Sequence, residues 1–395
     1  MTVIITVCSL LLLAYVFDLT SAHTRVPSVI FLLILGFAAR QLAEFFEINI
    51  PDLGSLLPIF GNVGLILIVL EGSLELELNK TKTPLIGKAF IVAVLPMAAM
   101  VIGLSFAFQY VGNASLKSCL INAIPLCIIS SAIAIPSVKA QSVFTREFVI
   151  YESSLSDIVG VLLFNFIALN ESFGLATFGQ FGLQVLMISV ISFVATIGLA
   201  FLLNKIDHHI KFAPIILLVI LIYAISKEYH LPALLFIMLF GLFLGNIDEL
   251  KQFKWIQKLK PVELNKEVHK FKELTIEGTF LVRALFFLLF GYLIETHEIL
   301  NTDTLVWAIP IVIGIFLFRA MVLALARLPI KPLLFVAPRG LITILLFLAV
   351  PVAHQLPLLN KSLIIQIILL TALVMMFGLM YSKPVAKEEL PEADV

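Results

Sequence analysis

The residues best suited to chemistry lie between Glu152 and Phe164, in the sequence ESSLSDIVGVLLF. Asp157 stands in the middle of this apolar segment, with Ser156 beside it and Glu152 about one and a half helical turns upstream. An ionised side chain at membrane depth is costly, so it usually faces a wet cavity, an ion path or a partner charge. Two interpretations of Asp157 follow: a carboxylate that binds an ion, or an acid hydrogen-bonded within the helix bundle for packing alone.

The composition predicts an integral membrane protein of the all-α class. Hydrophobic residues make up 61% of the chain and charged residues 13%, and long uncharged runs are typical of transmembrane helices. The formal net charge is zero, which offers no basic field for a nucleic-acid partner. The apolar runs predict 13 transmembrane helices, near 2–18, 24–42, 56–75, 83–110, 118–140, 147–170, 177–204, 212–227, 231–247, 276–295, 304–326, 330–353 and 361–381.

Short connections between these segments predict a single transmembrane transporter domain over 1–395. The long polar stretch 248–275 is rich in lysine and carries interspersed apolar residues. This pattern predicts an amphipathic cytoplasmic connector on the membrane surface, with a basic face that suits anionic lipid headgroups. Residues 382–395 are predicted to form a short cytoplasmic tail.

The distribution of lysine and arginine predicts the orientation in the membrane. With the N-terminus outside and the C-terminus inside, 19 of the 26 basic residues lie on the cytoplasmic side. Four lie outside, namely Arg40, Lys117, Lys227 and Lys361. This asymmetry agrees with the positive-inside rule and with an odd number of spans. We therefore expect a protein of the cell membrane, and of a bacterium.

The chain also contains an internal repeat. Residues 25–37 (RVPSVIFLLILGF) align without gaps with residues 230–242 (HLPALLFIMLFGL), which pairs Gly36 with Gly241. These stretches belong to the second and ninth segments, and an offset of seven helices makes the two copies face opposite ways. By extension, helices 1–6 match helices 8–13. Inverted six-helix repeats of this kind are typical of secondary transporters with a site near the membrane midplane.

The fifth and twelfth segments, which correspond in the repeat, are both predicted to be discontinuous. A proline inside a helix removes a donor and frees a carbonyl, and broken helices build the ion sites of many transporters. The residues that indicate these breaks are Pro125, Ser130, Ser131 and Pro136 in the fifth segment, and Pro338, Arg339, Gly340, Thr343 and Pro351 in the twelfth.

Several other ionisable residues lie within apolar segments and need partners. An arginine keeps its charge, so it must be paired, hydrated or extended towards the interface. We predict an ion pair between Glu152 and Arg339, because both lie on helix portions expected to approach the breaks. Arg319 is predicted to supply counter-charge to the crossing region, and Glu71 lies either inside the cavity or at its mouth. Arg283 has either a structural or a gating role.

Four features together resemble the cation:proton antiporter superfamily, the type 1 sodium/proton exchanger branch in particular. ESSLSD at 152–157 resembles the ESLLND of that branch, and APRG at 337–340 looks like its arginine–glycine signature. Arg319 matches its basic residue in the eleventh helix, and the start of the second helix is similar too. Two departures stand out. Ser156 replaces the usual asparagine, and 134–136 (AIP) replaces the usual TDP.

The resemblance implies a fold, an assembly and a set of roles. It implies a homodimer in which core helices within 83–170 and 304–381 move against a dimerisation scaffold within 1–75 and 177–295. It implies that Asp157 binds Na⁺ or a proton alternately, that Glu152 and Arg339 brace the unwound helices, and that Glu71 lies at the cytoplasmic funnel. Ser156, with Ser130 and Ser131 in place of the missing TDP oxygens, would complete the ion and proton site.

The predicted function is antiport of a monovalent cation, Na⁺ and also Li⁺, against H⁺ by alternating access. Competition of the cation and the proton for the Asp157 carboxylate would couple the two fluxes, and a single acid in the motif predicts electroneutral exchange. Two alternatives stay open: K⁺/H⁺ exchange, and sodium-coupled symport of an organic anion on a similar fold. No nucleophile–base pairing or metal constellation indicates an enzyme, and no cofactor is implied beyond the transported ions.

Overall fold

The computed structural model describes residues 2–24, 27–47, 53–76, 80–139, 141–170, 175–205, 212–229, 231, 233–250, 257 and 261–382, and these contain helices and no strand. The helices of the first half are α1 (Thr2–Thr24), α2 (Ser28–Phe45), α3 (Leu57–Glu75), α4 (Thr83–Gly112), α5 (Leu116–Cys127), α6 (Ser131–Ser137), α7 (Val143–Leu169) and α8 (Leu175–Lys205). Those of the second half are α9 (Phe212–Glu228), α10 (Ala233–Gly245), α11 (Ile247–Leu250), α12 (Pro261–Tyr292), α13 (Thr296–Ile299), α14 (Thr302–Leu325), α15 (Leu341–Ala349) and α16 (Lys361–Tyr381).

The helices agree with the predicted apolar segments, since each of those segments overlaps a helix. Among the described residues, nine helical stretches are long and apolar enough to cross a membrane. One of them, Leu116–Ser137, combines α5 and α6. Two shorter apolar helices, Val7–Thr20 and Ala233–Gly245, add to these. The all-α membrane class is confirmed, whereas the number of 13 spans stays a prediction.

The predicted amphipathic connector over 248–275 differs from the structure in its second half, which is not separate from the following transmembrane segment. α12 begins at Pro261 and continues to Tyr292, so residues 261–275 are an N-terminal extension of the helix predicted over 276–295. Leu264, Val268 and Phe271 are buried, and their i, i+4, i+7 spacing places them on one face that continues into the apolar part of the helix. Residues 251–256 and 258–260, with four of the lysines, lie outside the described residues. So does the predicted tail after Ser382.

The long helices pack in two groups. Helices α2, α3, α8, α10 and α12 pack against one another, and α4, α5, α7, α14 and α16 form a second group. We call these the scaffold group and the core group. Helix α3 connects them, because it packs against α7 and α15 as well as against α10 and α12. The helices of the two groups overlap the residue ranges that the resemblance implies for scaffold and core, and the roles of the two groups stay predictions.

Two glycines allow close approach of helices within the scaffold group. A Cβ on Gly36 of α2 would overlap the backbone carbonyl of Leu288 in α12. A Cβ on Gly241 of α10 would lie 3.2 Å from the backbone carbonyl of Leu70 in α3. The two glycines that align in the sequence therefore make the same kind of contact: Gly36 with α12 and Gly241 with α3. This agrees with the inverted repeat, which itself stays a prediction.

Candidate ion-binding site

Two interruptions of helices meet in the core group. The fifth segment leaves the helical conformation at residues 128–130, between α5 and α6, and the twelfth does so at residues 336–340, ahead of α15. The N–H of Ser130 donates to the carbonyl of Pro338 at 2.9 Å, which joins the two interruptions directly. Pro338 has no N–H of its own and disfavours a helical residue before it. The predicted breaks in both helices are therefore present, and they contact each other.

Asp157 of α7 lies beside this crossing with only 1% of its surface exposed. The hydroxyl of Ser131, the first residue of α6, donates to its Oδ2 atom. Within the described residues, Oδ1 of Asp157 and Oγ of Ser130 are buried and have no hydrogen-bond partner. Because buried polar atoms are nearly always hydrogen-bonded, these two oxygens make the surroundings of Asp157 a candidate ion site.

Ser156 has a contact that the sequence did not predict. It is fully buried, and its Oγ accepts a hydrogen bond from the backbone N–H of Ile129 at 3.0 Å. An interrupted helix leaves backbone N–H groups without helical partners, and Ser156 satisfies one of them. Four residues later on α7, a Cβ on Gly160 would overlap the Ile128 side chain. Through Ser156 and Gly160, α7 therefore contacts and stabilises the interruption of the fifth segment. The role of Ser156 as an ion ligand stays a prediction.

The predicted ion pair between Glu152 and Arg339 is wrong in its partner. Glu152 pairs with Arg319 of α14, whose Nη1 and Nη2 donate to the two carboxylate oxygens, the second at 2.9 Å. Nε of Arg319 donates to the carbonyl of Leu333 at 2.9 Å. Both charged side chains are at most 2% exposed. The bidentate geometry that an arginine fork offers a carboxylate explains why this buried pair forms.

Arg339 instead binds the end of a helix. Its Nε donates to the carbonyl of Leu126 at 2.7 Å and its Nη1 donates to the carbonyl of Ala337 at 3.1 Å. Its backbone N–H donates to Oγ1 of Thr371 in α16 at 3.1 Å. The last carbonyls of a helix are unpaired and carry partial negative charge, so a cation at this position stabilises the C-terminal end of α5. Arg339 thus braces the interruption, through α5 and not through Glu152.

A charged cavity of about 790 Å³ extends from the site. Ser131 lines it, so the cavity reaches the hydroxyl that bonds Asp157. Glu71 and Arg283 also line it. Arg319, predicted as a cavity or funnel charge, does not line this cavity because it is buried in its pair with Glu152, and its role as counter-charge to the crossing region stays a prediction. Acids and bases are equally represented in the lining, as Asp18, Glu71, Glu75, Glu147 and Glu277 with Lys82, Lys139, Arg146, Lys272 and Arg283.

The broken helices, the buried acid and the charged cavity are features of an ion transporter, and a protein-family model of transporters matches most of the chain. The family model described as sodium/hydrogen exchanger, transmembrane, matches residues 8–387. The chain belongs to the sodium/hydrogen exchanger family. The resemblance noted in the sequence is confirmed. Because this family consists of transporters, the exchanger is a cation/proton antiporter rather than an enzyme, and the ions it moves are cargo and not cofactors.

Two solved structures show a similar fold to that of the exchanger. The structure of the sodium proton antiporter MjNhaP1 from Methanocaldococcus jannaschii matches with a TM-score of 0.66 and covers 96% of this chain and 95% of that one. An electron-microscopy structure of the same antiporter has a TM-score of 0.65, with coverage of 96% and 94%. Sequence identity is 17% in both cases, so these matches bear on the fold. No curated protein matches the sequence of the exchanger.

Some residues of the exchanger's site were not identified from the sequence. Gly160 has a recognisable signal, its position four residues after Ser156 on the same face of one helix. Thr343 was noted only as part of an interrupted segment, and within the described residues its Oγ1 is buried and unpartnered. The steric role of Gly340 was also not predicted: a Cβ at this position would lie 2.8 Å from Oγ of Ser130, so a larger residue would crowd the contact between the two interruptions.

Proposed function

We propose that the exchanger moves Na⁺, and also Li⁺, against H⁺ with Asp157 as the shared binding residue. The observation that carries this proposal is the free Oδ1 atom of Asp157, buried beside two interrupted helices. Discontinuous helices with buried polar groups are the usual construction of an ion site in secondary transporters. The sodium proton antiporter MjNhaP1, which has the same fold, supports sodium as the cation.

The exchange follows from competition for one carboxylate. A bare carboxylate buried in a membrane protein is costly, whereas a protonated or cation-bound one is neutral. The site can therefore change its exposure cheaply only when it is loaded. Ser131, which bonds Asp157 and also lines the cavity, gives the cation and the proton a route to the same group.

The basic residues of the cavity support an orientation in the membrane. Lys82, Lys139, Arg146 and Lys272 line it, and all four belong to stretches that the positive-inside rule assigns to the cytoplasm. We propose that the N-terminus lies outside and that the structure is open towards the cytoplasm. Movement of the core group against the scaffold group of a homodimer would then open the site to the outside.

A preset pH gradient in proteoliposomes tests the proposed function. Vesicles that contain the purified exchanger are made acidic inside, and Na⁺, Li⁺, K⁺ or choline is added outside while an internal pH dye is followed. We expect Na⁺ and Li⁺ to dissipate the gradient and choline to leave it intact. Dissipation by K⁺ alone would assign K⁺/H⁺ exchange to the same site. A gradient that no cation dissipates, with protein that elutes as a single species, would contradict exchange and lead to assays of organic-anion-dependent Na⁺ uptake.

The stoichiometry gives a separate prediction. Glu152, the other fully buried carboxylate on α7, is neutralised by Arg319, so Asp157 has one charge to exchange. We expect one Na⁺ for one H⁺ and no net movement of charge. A potential-sensitive dye in the same vesicles should remain silent during transport, and an imposed membrane potential should leave the rate unchanged. A potential that develops with the flux would contradict one-for-one exchange.

A further inference from the structure

We infer that the hydroxyl of Thr343 is a cation ligand, supplied by the twelfth helix to the site that Asp157 and Ser130 form. The inference rests on the proposed exchange at Asp157 and adds a binding residue from a third element. Asp157 belongs to α7, Ser130 to the interruption between α5 and α6, and Thr343 to the first turn of α15.

The direction of the Thr343 side chain follows from the two leucines beside it. Leu341 and Leu345 face α3, because a Cβ on Gly64 would lie 3.5 Å from Leu341 and one on Gly61 would overlap Leu345. Successive residues of an α-helix are turned by about 100°. Thr343 is therefore turned about 160° to 200° from the leucines, away from the scaffold group and towards the interior of the core group.

Gly340 indicates what lies on that inner side. A Cβ on Gly340 would lie 2.8 Å from Oγ of Ser130, so this end of α15 is directly against the fifth-segment interruption. Gly340 caps α15, since its carbonyl accepts the N–H of Ile344 at 3.1 Å, and Thr343 lies in the turn that it begins. The rotation derived from the leucines and this position near the capped end together bring the Thr343 hydroxyl towards Ser130. α15 also packs against α7, the helix of Asp157.

Among the described residues of the core group, the buried hydroxyl of Thr343 shares with that of Ser130 the lack of a hydrogen-bond partner. A helical threonine usually bonds the carbonyl four residues earlier, as Thr371 of α16 does with Ile367 at 2.8 Å. For Thr343 that carbonyl belongs to Arg339, which lies in the interruption and not in the helix. Oγ1 of Thr343 is buried and unpartnered among the described residues, with 1% of the residue exposed.

Three unpartnered oxygens therefore converge on one crossing: a carboxylate oxygen of Asp157 and the hydroxyls of Ser130 and Thr343. Burying a hydroxyl without a hydrogen bond costs free energy, which a bound cation would recover. Hard cations prefer oxygen ligands. Two neutral hydroxyls beside one carboxylate also leave the loaded site without net charge, as the proposed exchange requires.

The test compares three variants with the wild type in the pH-gradient assay, measured over a range of Na⁺ concentrations. Thr343→Val keeps the shape of the side chain and removes its oxygen, and Thr343→Ser keeps the oxygen. Thr196→Val is the matched control, because Thr196 is also buried with an unpartnered hydroxyl but lies in α8 of the scaffold group. We expect the KM for Na⁺ to rise about tenfold in Thr343→Val, as for the loss of one ligand, and to stay near the wild-type value in the other two.

A binding measurement accompanies the transport assay. Na⁺ that binds the folded protein raises its Tm, and the Na⁺ concentration needed for this shift should rise in Thr343→Val by the same factor as the KM. If Thr343→Val does not fold, Thr343→Cys replaces the hard oxygen with sulfur and should show the same rise. An unchanged KM and an unchanged Tm shift in the valine or cysteine variant would overturn the inference. If that occurs while wild-type exchange is intact, the proposed function stands; if the wild type itself shows no cation-dependent flux, both fall.

Discussion

Asp157→Asn is expected to lower cation-dependent proton flux by about a hundredfold or more, since losing one partner of a buried charged contact costs roughly 3 kcal/mol or more. Asparagine occupies nearly the same volume and can still accept the hydrogen bond that Ser131 donates. It cannot carry the negative charge that neutralises a cation, and it cannot take up and release a proton. The variant therefore removes the binding group and keeps the packing around it.

Stability should change in the opposite direction from transport. Oδ1 of Asp157 is buried without a partner, and replacing a buried carboxylate with a neutral amide removes a desolvation cost. We expect the Tm of Asp157→Asn without Na⁺ to equal or exceed that of the wild type. The rise in Tm that Na⁺ causes in the wild type should be lost, because the variant has no charged ligand to bind it.

The control for this prediction is Asp303→Asn. Asp303 is an exposed carboxylate in the first turn of α14, far along the chain from the interruptions. It should transport at the wild-type rate. If Asp157→Asn transported Na⁺ at a rate close to that of Asp303→Asn, the role of Asp157 would be limited to packing. That result would contradict the proposal of a shared cation and proton site.

The sequence was sufficient to predict the elements of the site but not all of their contacts. Prolines indicated that the fifth and twelfth helices are interrupted, because proline has a local effect on the backbone that does not depend on the rest of the fold. Pro338 lies in the interruption of the twelfth helix, whereas Pro125 and Pro136 lie within α5 and α6, on either side of the break at 128–130. The acid at 157 was identifiable for a similar reason, since a charge inside an apolar segment is unusual anywhere in a membrane protein. These local signals predicted the fold class and the central residue of the candidate site.

Contacts between distant segments were harder to predict, and Glu152 is the clearest case. Two arginines in later helices, Arg319 and Arg339, were both available as its partner. Which one faces Glu152 depends on the rotation of each helix and on competing partners, and neither is encoded locally. The free carbonyl of Leu126 engages Arg339, and this competitor exists only after the fifth helix is interrupted. Ser156 was likewise predicted as an ion ligand, although in the structure its oxygen accepts the N–H of Ile129.

The N-terminal part of α12 was hard to predict for a different reason. Its first turns are rich in lysine and therefore predicted a surface connector, whereas the structure continues α12 through them from Pro261. The buried positions Leu264, Val268 and Phe271 form a narrow apolar stripe in an otherwise polar sequence. The sequence showed an apolar face in this stretch but not what covers it, because an apolar stripe on a helix can lie against lipid or pack against other helices.

Arg319→Met is expected to be the most destabilising of the substitutions considered, at about 3 to 5 kcal/mol, because it leaves the charge of Glu152 buried and unpaired. It also removes the donor to the carbonyl of Leu333. Glu152→Gln should lower the free energy of unfolding by less, since the amide oxygen can still accept a hydrogen bond from the guanidinium. The double variant Glu152→Gln/Arg319→Met should lose less unfolding free energy than the sum of the losses in the two single variants. Denaturation of the purified variants in detergent, followed by tryptophan fluorescence or by thermal unfolding, provides the comparison.

A pair at the edge of the cavity is the matched control. Lys82 and Glu147 are 3.0 Å apart, with side chains 23% and 30% exposed. Lys82→Met should cost less than about 1 kcal/mol, because partly solvated ion pairs contribute little to stability. The contrast with Arg319→Met then measures the effect of burial on two ion pairs that both involve α7.

Adding Arg339→Met, alone and together with Glu152→Gln, to this set of variants distinguishes the two possible partners of Glu152. The structure predicts a coupling free energy above about 1.5 kcal/mol between Glu152 and Arg319, whose side chains are in bidentate contact. The coupling between Glu152 and Arg339 should be smaller, because the hydrogen bonds of the Arg339 guanidinium are to the carbonyls of Leu126 and Ala337. A larger coupling with Arg339 than with Arg319 would contradict the observed pairing and restore the one predicted from the sequence. With the coupling as expected, the charge of Glu152 is already compensated within the core group, and Asp157 is then the buried carboxylate of α7 whose charge is available for the proposed exchange.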